Sequence, residues 1–269
     1  MKKITLHLLI IFLPVLAFAQ TADEYVQQGV VKFQNGDSAG ALNDFSNAIK
    51  IDNKNTQAYY LRGATNLSIG KVQDAIRDYD KTIELDEKYS AAYAERGYAK
   101  ALLGDDSGAI KDINTAILID SSNAEAYNFR ALIKFSKGDY KGSIEDYSKA
   151  ISLNPSDSKY YHNRGNAKSA NGDPEGSIKD FSEAIRLFPG DEQSYFYRAS
   201  IQGTQKNYQA AITDFTQAIK LNPKNAAAFY GRGISKLAIG QTESGCADIS
   251  NASNLGSKQA GNILNTDCK

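Results

Sequence analysis

Apolar positions in this chain recur at three- and four-residue intervals in short blocks, and most blocks end in a glycine turn before a second block begins. Tyr195, Arg198, Ala199 and Gln202 lie along one side of a helix at this spacing. Ala211, Ile212, Phe215, Ala218, Ile219 and Leu221 make the buried stripe of a second helix. Pro223 closes the unit, because proline cannot continue a helix interior. The two-helix unit is repeated on a strict 34-residue period, marked by Asp44, Asp78, Asp112, Asp146, Asp180, Asp214 and Asp248. An arginine keeps the same period at Arg62, Arg96, Arg130, Arg164, Arg198 and Arg232. A fixed period of this length predicts stacked repeats, which build an extended surface rather than an enclosed pocket.

The units fall at residues 22–55, 56–89, 90–123, 124–157, 158–191, 192–225 and 226–259, all within a repeat region of 20–259. A glycine suited to the left-handed end of the first helix stands at Gly36, Gly70, Gly104, Gly138, Gly172 and Gly240. The sixth unit has Lys206 there instead, which predicts a strained turn. Small residues recur in mid-first-helix (Gly29, Gly63, Gly97, Ala131, Gly165, Ala199, Gly233) and near the start of the second (Ala41, Ala75, Ala109, Ser143, Ser177, Ala211, Gly245). Facing small residues allow close helix approach. Tyr25, Tyr59, Tyr93, Tyr127, Tyr161, Tyr195 and Phe229 fill the space beyond, against Phe45, Tyr79, Ile113, Tyr147, Phe181, Phe215 and Ile249.

At these residues the chain resembles the tetratricopeptide repeat (TPR) family, over residues 22–259. The resemblance implies an all-α TPR α-solenoid: a right-handed superhelix of seven helix pairs plus a C-terminal capping helix, assigned to 260–269. It implies that the first helices line a concave groove holding a peptide or a partner helix. It is specific for fold and not for one function, because one fold serves many sites.

The first nineteen residues read separately. Lys2 and Lys3 precede a mostly apolar run from Leu6 to Leu16, and Ala17-Phe18-Ala19 supplies the small residues of a cleavage site before Gln20. This pattern predicts a bacterial-type secretory signal peptide over 1–19, too short for a membrane span, and a periplasmic or secreted mature protein. Past Leu16 no apolar run reaches membrane-spanning length, so no membrane insertion is expected after cleavage. Removing Lys2 and Lys3 leaves 29 basic against 31 acidic side chains, a net charge of −2. That balance argues against a nucleic-acid partner, which calls for basic excess.

The arginine and aspartate series face the packed side or its edge, so we expect a ladder of partly buried, charge-assisted contacts that sets how helix pairs stack. The spacing alone leaves open whether Arg130 meets Asp146 or Asp112.

The family's geometry places Val26, Tyr60, Asn128, His162, Phe196 and Tyr230 in the groove, with Tyr98, Leu132, Asn166 and Ile234 one turn later. These positions vary between units while the packing positions do not. Aromatic and aliphatic ends around a polar centre suit an extended peptide or a helix with spaced apolar side chains. The same aromatics and amides also suit stacking on sugars. The inward positions carry no lysine or arginine, which argues against the carboxylate clamp of chaperone-binding relatives.

Catalytic, cofactor and metal chemistry is not indicated. His162 is the only histidine past the leader, the carboxylates follow the period rather than clustering, and no phosphate loop or nucleophile elbow is present. Cys246 stands where earlier units place Leu42, Ile76, Ile110, Ile144, Ile178 and Ile212, and Cys268 is one residue from the end. In an oxidising compartment the two are expected to pair, stapling a short polar capping helix to the last repeat. Cysteine-ended caps also occur in secreted bacterial members of the family. Two free thiols are the alternative. The sequence thus describes a non-catalytic scaffold or adaptor with a protein or peptide partner, in an envelope or secretion assembly. A glycan or cell-wall ligand module is the second reading and a rigid spacer the third. No pattern specifies the oligomeric state.

Overall fold

The computed structural model describes residues 20–266 and 268. The predicted leader, residues 1–19, lies outside them. Fifteen helices and no strand occur among the described residues, and they form two compact units dividing after Leu85.

The first unit holds two helix pairs: α1 (Ala22–Gln34) with α2 (Ser38–Ile51), and α3 (Thr56–Ser68) with α4 (Val72–Leu85). Thr21 and Glu24 cap α1 reciprocally, each accepting the other's backbone N–H. The core gathers Ala22, Val26, Ala41, Phe45, Ala48 and Ala58. Phe45 lies over Gly29, where an added Cβ would meet the ring at 2.6 Å.

The second unit holds five pairs and a cap: α5 (Ser90–Leu102) with α6 (Asp106–Ile119), α7 (Ala124–Ser136) with α8 (Tyr140–Leu153), α9 (Ser158–Ala170) with α10 (Pro174–Leu187), α11 (Glu192–Thr204) with α12 (Tyr208–Leu221), α13 (Ala226–Ala238) with α14 (Thr242–Asn254), and α15 (Lys258–Thr266). Aspartates cap many second helices: Asp105, Asp139 and Asp173 each accept a backbone N–H from Gly108, Gly142 and Gly176 at 2.9 Å. Pro174 opens α10, where its missing N–H costs no helix bond. The turn out of the first helix of a pair is left-handed, with φ near +80° at Gly104, Gly138, Gly172 and Gly240. At the equivalent place in the sixth repeat Lys206 has φ 62°, so the predicted strain falls on that residue.

The period-34 charges form a ladder inside each repeat. Asp78, Asp112, Asp146, Asp180, Asp214 and Asp248 pair with the arginine sixteen residues earlier, at 2.6–2.7 Å. Each guanidinium also lies 5.3–5.8 Å from the ring three residues before it, from Tyr59 to Phe229. Asp112, Asp146, Asp180 and Asp248 take a second cation from Lys100, Lys134, Lys168 and Lys236. The ladder therefore joins the two helices of one repeat, and of the two partners the spacing left open for Arg130 it is Asp146 that pairs. The link to the preceding repeat is a weaker one: Arg130, Arg164, Arg198 and Arg232 also donate to Asn114, Ser148, Ser182 and Thr216. In the first repeat Gln28 replaces the arginine and Lys32 pairs with Asp44 at 2.7 Å.

Cys246 on α14 and Cys268 beyond α15 are placed as a disulfide, with Cα atoms 5.5 Å apart. Ile263 and Leu264 of α15 pack on the core of Ile249, Ala252 and Ala260, covering the apolar face that the last repeat would otherwise expose.

Candidate functional site

In the first unit two groove candidates take different roles. Val26 is only 4% exposed and belongs to the α1–α2 core, so it is the floor of a shallow depression rather than a contact surface. Ala58 of the next repeat belongs to the same buried cluster, so little of the Val26 side chain reaches the depression it lines. Tyr60 is half-buried, its ring tilted on Tyr79 with centroids 6.0 Å apart.

In the second unit the predicted polar centre is largely self-satisfied. Asn128 is buried, donates to Glu125 at 2.9 Å and accepts from Asn163 at 3.3 Å. It was expected to offer its amide to a ligand, and its neighbours consume that capacity. Tyr98 stacks on Phe129 at 4.6 Å and, with Leu132, packs on the α5–α7 core. Asn166 is half-buried on α9. Glu95 lies nearby among buried groups, and burial first, then the Glu125 charge, pushes its carboxyl up to about 7.

Phe196, Tyr230 and Ile234, from two successive first helices, do converge. They line a cleft of about 380 Å3 between α11 and α13, with Phe215 among its walls. Gly231 makes this possible, because a Cβ there would clash with the Phe215 ring. Ser200 and Ser235 turn their hydroxyls onto their own helix, donating to the carbonyls of Phe196 and Gly231 at 2.8 Å. Their outward surface is then apolar, and the cleft presents rings and methyl groups.

His162 occupies a different place. With Lys159, Asn163, Phe188, Asp191 and Gln193 it lines a notch of about 340 Å3 between α9 and the start of α11. Ser194 Oγ donates to Asp191 Oδ2, and His162 Nδ1 lies 2.7 Å from Ser194 Oγ and 3.4 Å from Asp191 Oδ2. Burial works against the Asp191 charge, but hydrogen bonds from His162 and Ser194 outweigh it and hold the carboxyl below its ordinary range. Ser194 has one proton and the carboxylate takes it, so Nδ1 must donate and Nε2 is the acceptor in the neutral ring. Lys159 adds a cation that the inward positions of the sequence reading lack. Phe188, Asp191 and Asn163 were also missed, because two lie in a loop and the third is one residue off the assumed stripe. A ring edge links the two sites: Tyr197 lies 5.8 Å from His162 and 5.4 Å from Phe196.

Models of the tetratricopeptide repeat match residues 26–90, 158–191 and 193–225, and a TPR repeat model matches 131–172. The chain belongs to the tetratricopeptide repeat family, and its fold is an all-α TPR solenoid. It is 30% identical to MamA over 59% of this chain and 93% of that one, with a TM-score of 0.48. PilF of Pseudomonas aeruginosa shares the fold at 17% identity and TM-score 0.71, over 78% of this chain and 96% of that one. So does YrrB, a TPR protein with an unusual peptide-binding site, at 18% identity and TM-score 0.61, over 70% and 97%. No curated protein matches this chain. Among the described residues no helix is long and apolar enough to cross a membrane, and no group of three or more metal-ligating side chains is assembled.

Proposed function

We propose that this protein is a non-catalytic scaffold that holds a peptide or partner segment by an apolar side chain seated between α11 and α13. The observation that carries the reading is the convergence of Phe196, Tyr230 and Ile234 on one open, apolar cleft. Clefts of a few hundred Å3 with rigid aromatic walls suit an anchoring side chain. YrrB, of the same fold, has a peptide-binding site. The leader pattern of residues 1–19 supports work in a bacterial envelope or secretion assembly, with the mature chain starting at Gln20. The mass of the protein recovered from its producing cell tests that start.

A displayed library of random peptides, selected on the mature protein and on a folded Phe196→Ala, Tyr230→Ala variant, tests the docking. Peptides with spaced apolar side chains, enriched only on the unmutated protein, are expected. Equal selection by both proteins would remove the cleft from the contact.

A further inference from the structure

The chain contains its own control, because seven copies of one unit can be compared position by position. At the end of the second helix, other repeats place Asp52, Asp86, Asp120, Asn154 or Asn222. Each of these side chains accepts the backbone N–H two residues on, at 2.9–3.4 Å, and so closes the loop. The fifth repeat has Phe188 instead, which cannot make that bond and leaves its ring 56% exposed. Gly190 lies under the ring, where a Cβ would stand 3.0 Å from its edge carbon. The first-helix caps Asn55, Asn123 and Asn225 donate across to the preceding repeat, whereas the caps of α9 and α11 are Asp157 and Asp191, which can only accept. Two residues into the first helix, where Ala58, Ala92, Ala126 and Ala228 stand in other repeats and Tyr160 in the fifth, the sixth has Ser194, which ties Asp191 to His162.

Phe188 and Asp191 line the notch between α9 and α11, with Ser194 behind them, and the other described joints form with neither a phenylalanine nor a serine at the places of Phe188 and Ser194. The notch holds one cation, Lys159, and one anion, Asp191, so it matches a neutral ligand. Gln193 and Asn163 bring amide groups to the notch, Asp191 a carboxylate that also holds Ser194, and His162 its Nε2, so hydroxyls meet both donors and acceptors there. Phe188 offers a flat apolar face beside them.

We propose that this notch is a saccharide site, taking a neutral sugar ring or short oligosaccharide with its C–H face on Phe188 and its hydroxyls on His162, Asn163, Asp191 and Gln193. The site is separate from the α11–α13 cleft and does not rest on the peptide-docking reading. A peptide anchor would seek the apolar cleft, whereas the notch is lined mostly by polar side chains.

The test is saturation-transfer NMR and titration with neutral oligosaccharides of glucose, N-acetylglucosamine, mannose and galactose. The proteins are the unmutated chain, Phe188→Asp and Phe196→Ala. Phe188→Asp installs the residue of the other repeats, so its fold and loop are expected to be kept, which a thermal melt verifies. At least one sugar is expected to bind with a Kd of about 1 mM or tighter, to weaken about tenfold or more in Phe188→Asp, and to be unchanged in Phe196→Ala. Binding by none of the sugars, or equal binding by Phe188→Asp, would overturn the proposal. Cleft-selected peptides that protect Phe188 while no sugar binds would assign the notch to the peptide groove instead.

Discussion

Asp146 receives two parallel N–H bonds from Arg130, Nε at 2.9 Å and Nη2 at 2.7 Å, while its side chain is only 7% exposed. The bidentate geometry makes Asp146 the partner of Arg130 and excludes Asp112, which Arg96 and Lys100 already hold. A partly buried charge left without its partner is costly, here Arg130 together with Lys134 once Asp146 is gone, whereas the intact pair is nearly neutral against an apolar replacement. Asp146→Ala is expected to destabilise by about 3 kcal/mol. A double-mutant cycle with Arg130→Ala should show coupling of about 1–3 kcal/mol, and the cycle of Arg130 with Asp112 should show almost none. Urea unfolding of the four proteins in each cycle gives both numbers.

Glu95 titrates against the usual direction. Its carboxyl rises from 4.5 to about 7 on folding, through burial and then the nearby Glu125 charge. A folded pKa above the unfolded one contributes stability that is complete below about 4.5 and lost as pH rises through about 7. Glu95→Gln should therefore stabilise by about 2 kcal/mol at pH 8 and change little at pH 4, since only the charged form is disfavoured. Denaturation midpoints at the two pH values decide this; an equal effect at both would point to packing instead of charge.

Gly97 sits against α6 with no room for a side chain. A Cβ would stand 2.7 Å from Ile113 Cγ1 and 2.9 Å from the Ala109 carbonyl oxygen, and the backbone oxygen cannot swing aside. Gly97→Leu is expected to destabilise by about 1–3 kcal/mol or more, as overpacking does. Unchanged urea unfolding would contradict the register of α5 on α6.

Lys206 carries a left-handed backbone that glycine adopts without cost, and its six counterparts in the other repeats are glycines. Lys206→Gly should stabilise by about 1 kcal/mol by removing the Cβ clash. The thermal midpoint, read beside Lys206→Ala as a control that keeps the clash, measures the gain.

The Cys246–Cys268 bridge closes a loop with a sequence separation of 22. Loop entropy puts its contribution at about 3 kcal/mol. Reduction, or Cys268→Ser, is expected to lower the stability of α14 and α15 while the distant pairs keep theirs. Hydrogen exchange resolved along the chain would show loss of protection confined to the C-terminal helices, and a thiol assay on denatured, unreduced protein should find no free thiol.

The helices and their buried stripes were legible in the chain because helical spacing is local: three- and four-residue intervals place side chains on one face whatever else the protein does. Gly36, Gly70 and their equivalents announced the turns for the same reason, and Lys206 stood out as the one substitute. The period also announced that arginine and aspartate belong together, but not which copies pair, since neighbouring repeats offer identical residues.

The candidate site was less legible. Val26 and Asn128 occupy the same repeat position as Phe196 and Tyr230, yet the first two are buried and the last two line an open cleft. What separates them is the surroundings: Ala58 shares a buried cluster with Val26, Glu125 and Asn163 bond to Asn128, and Gly231 leaves room for the Phe215 ring to form a wall of the cleft. The notch depended on the loop residues Phe188 and Asp191, which carry no helical period and become neighbours of His162 only when one repeat is laid on the next. The sequence by itself determined the repeat, its helices and which face each helix buries, because these follow from backbone geometry within a few residues. Only the tertiary structure decided which exposed positions open onto a ligand-sized space, because that depends on side chains about one repeat apart meeting across a packed joint.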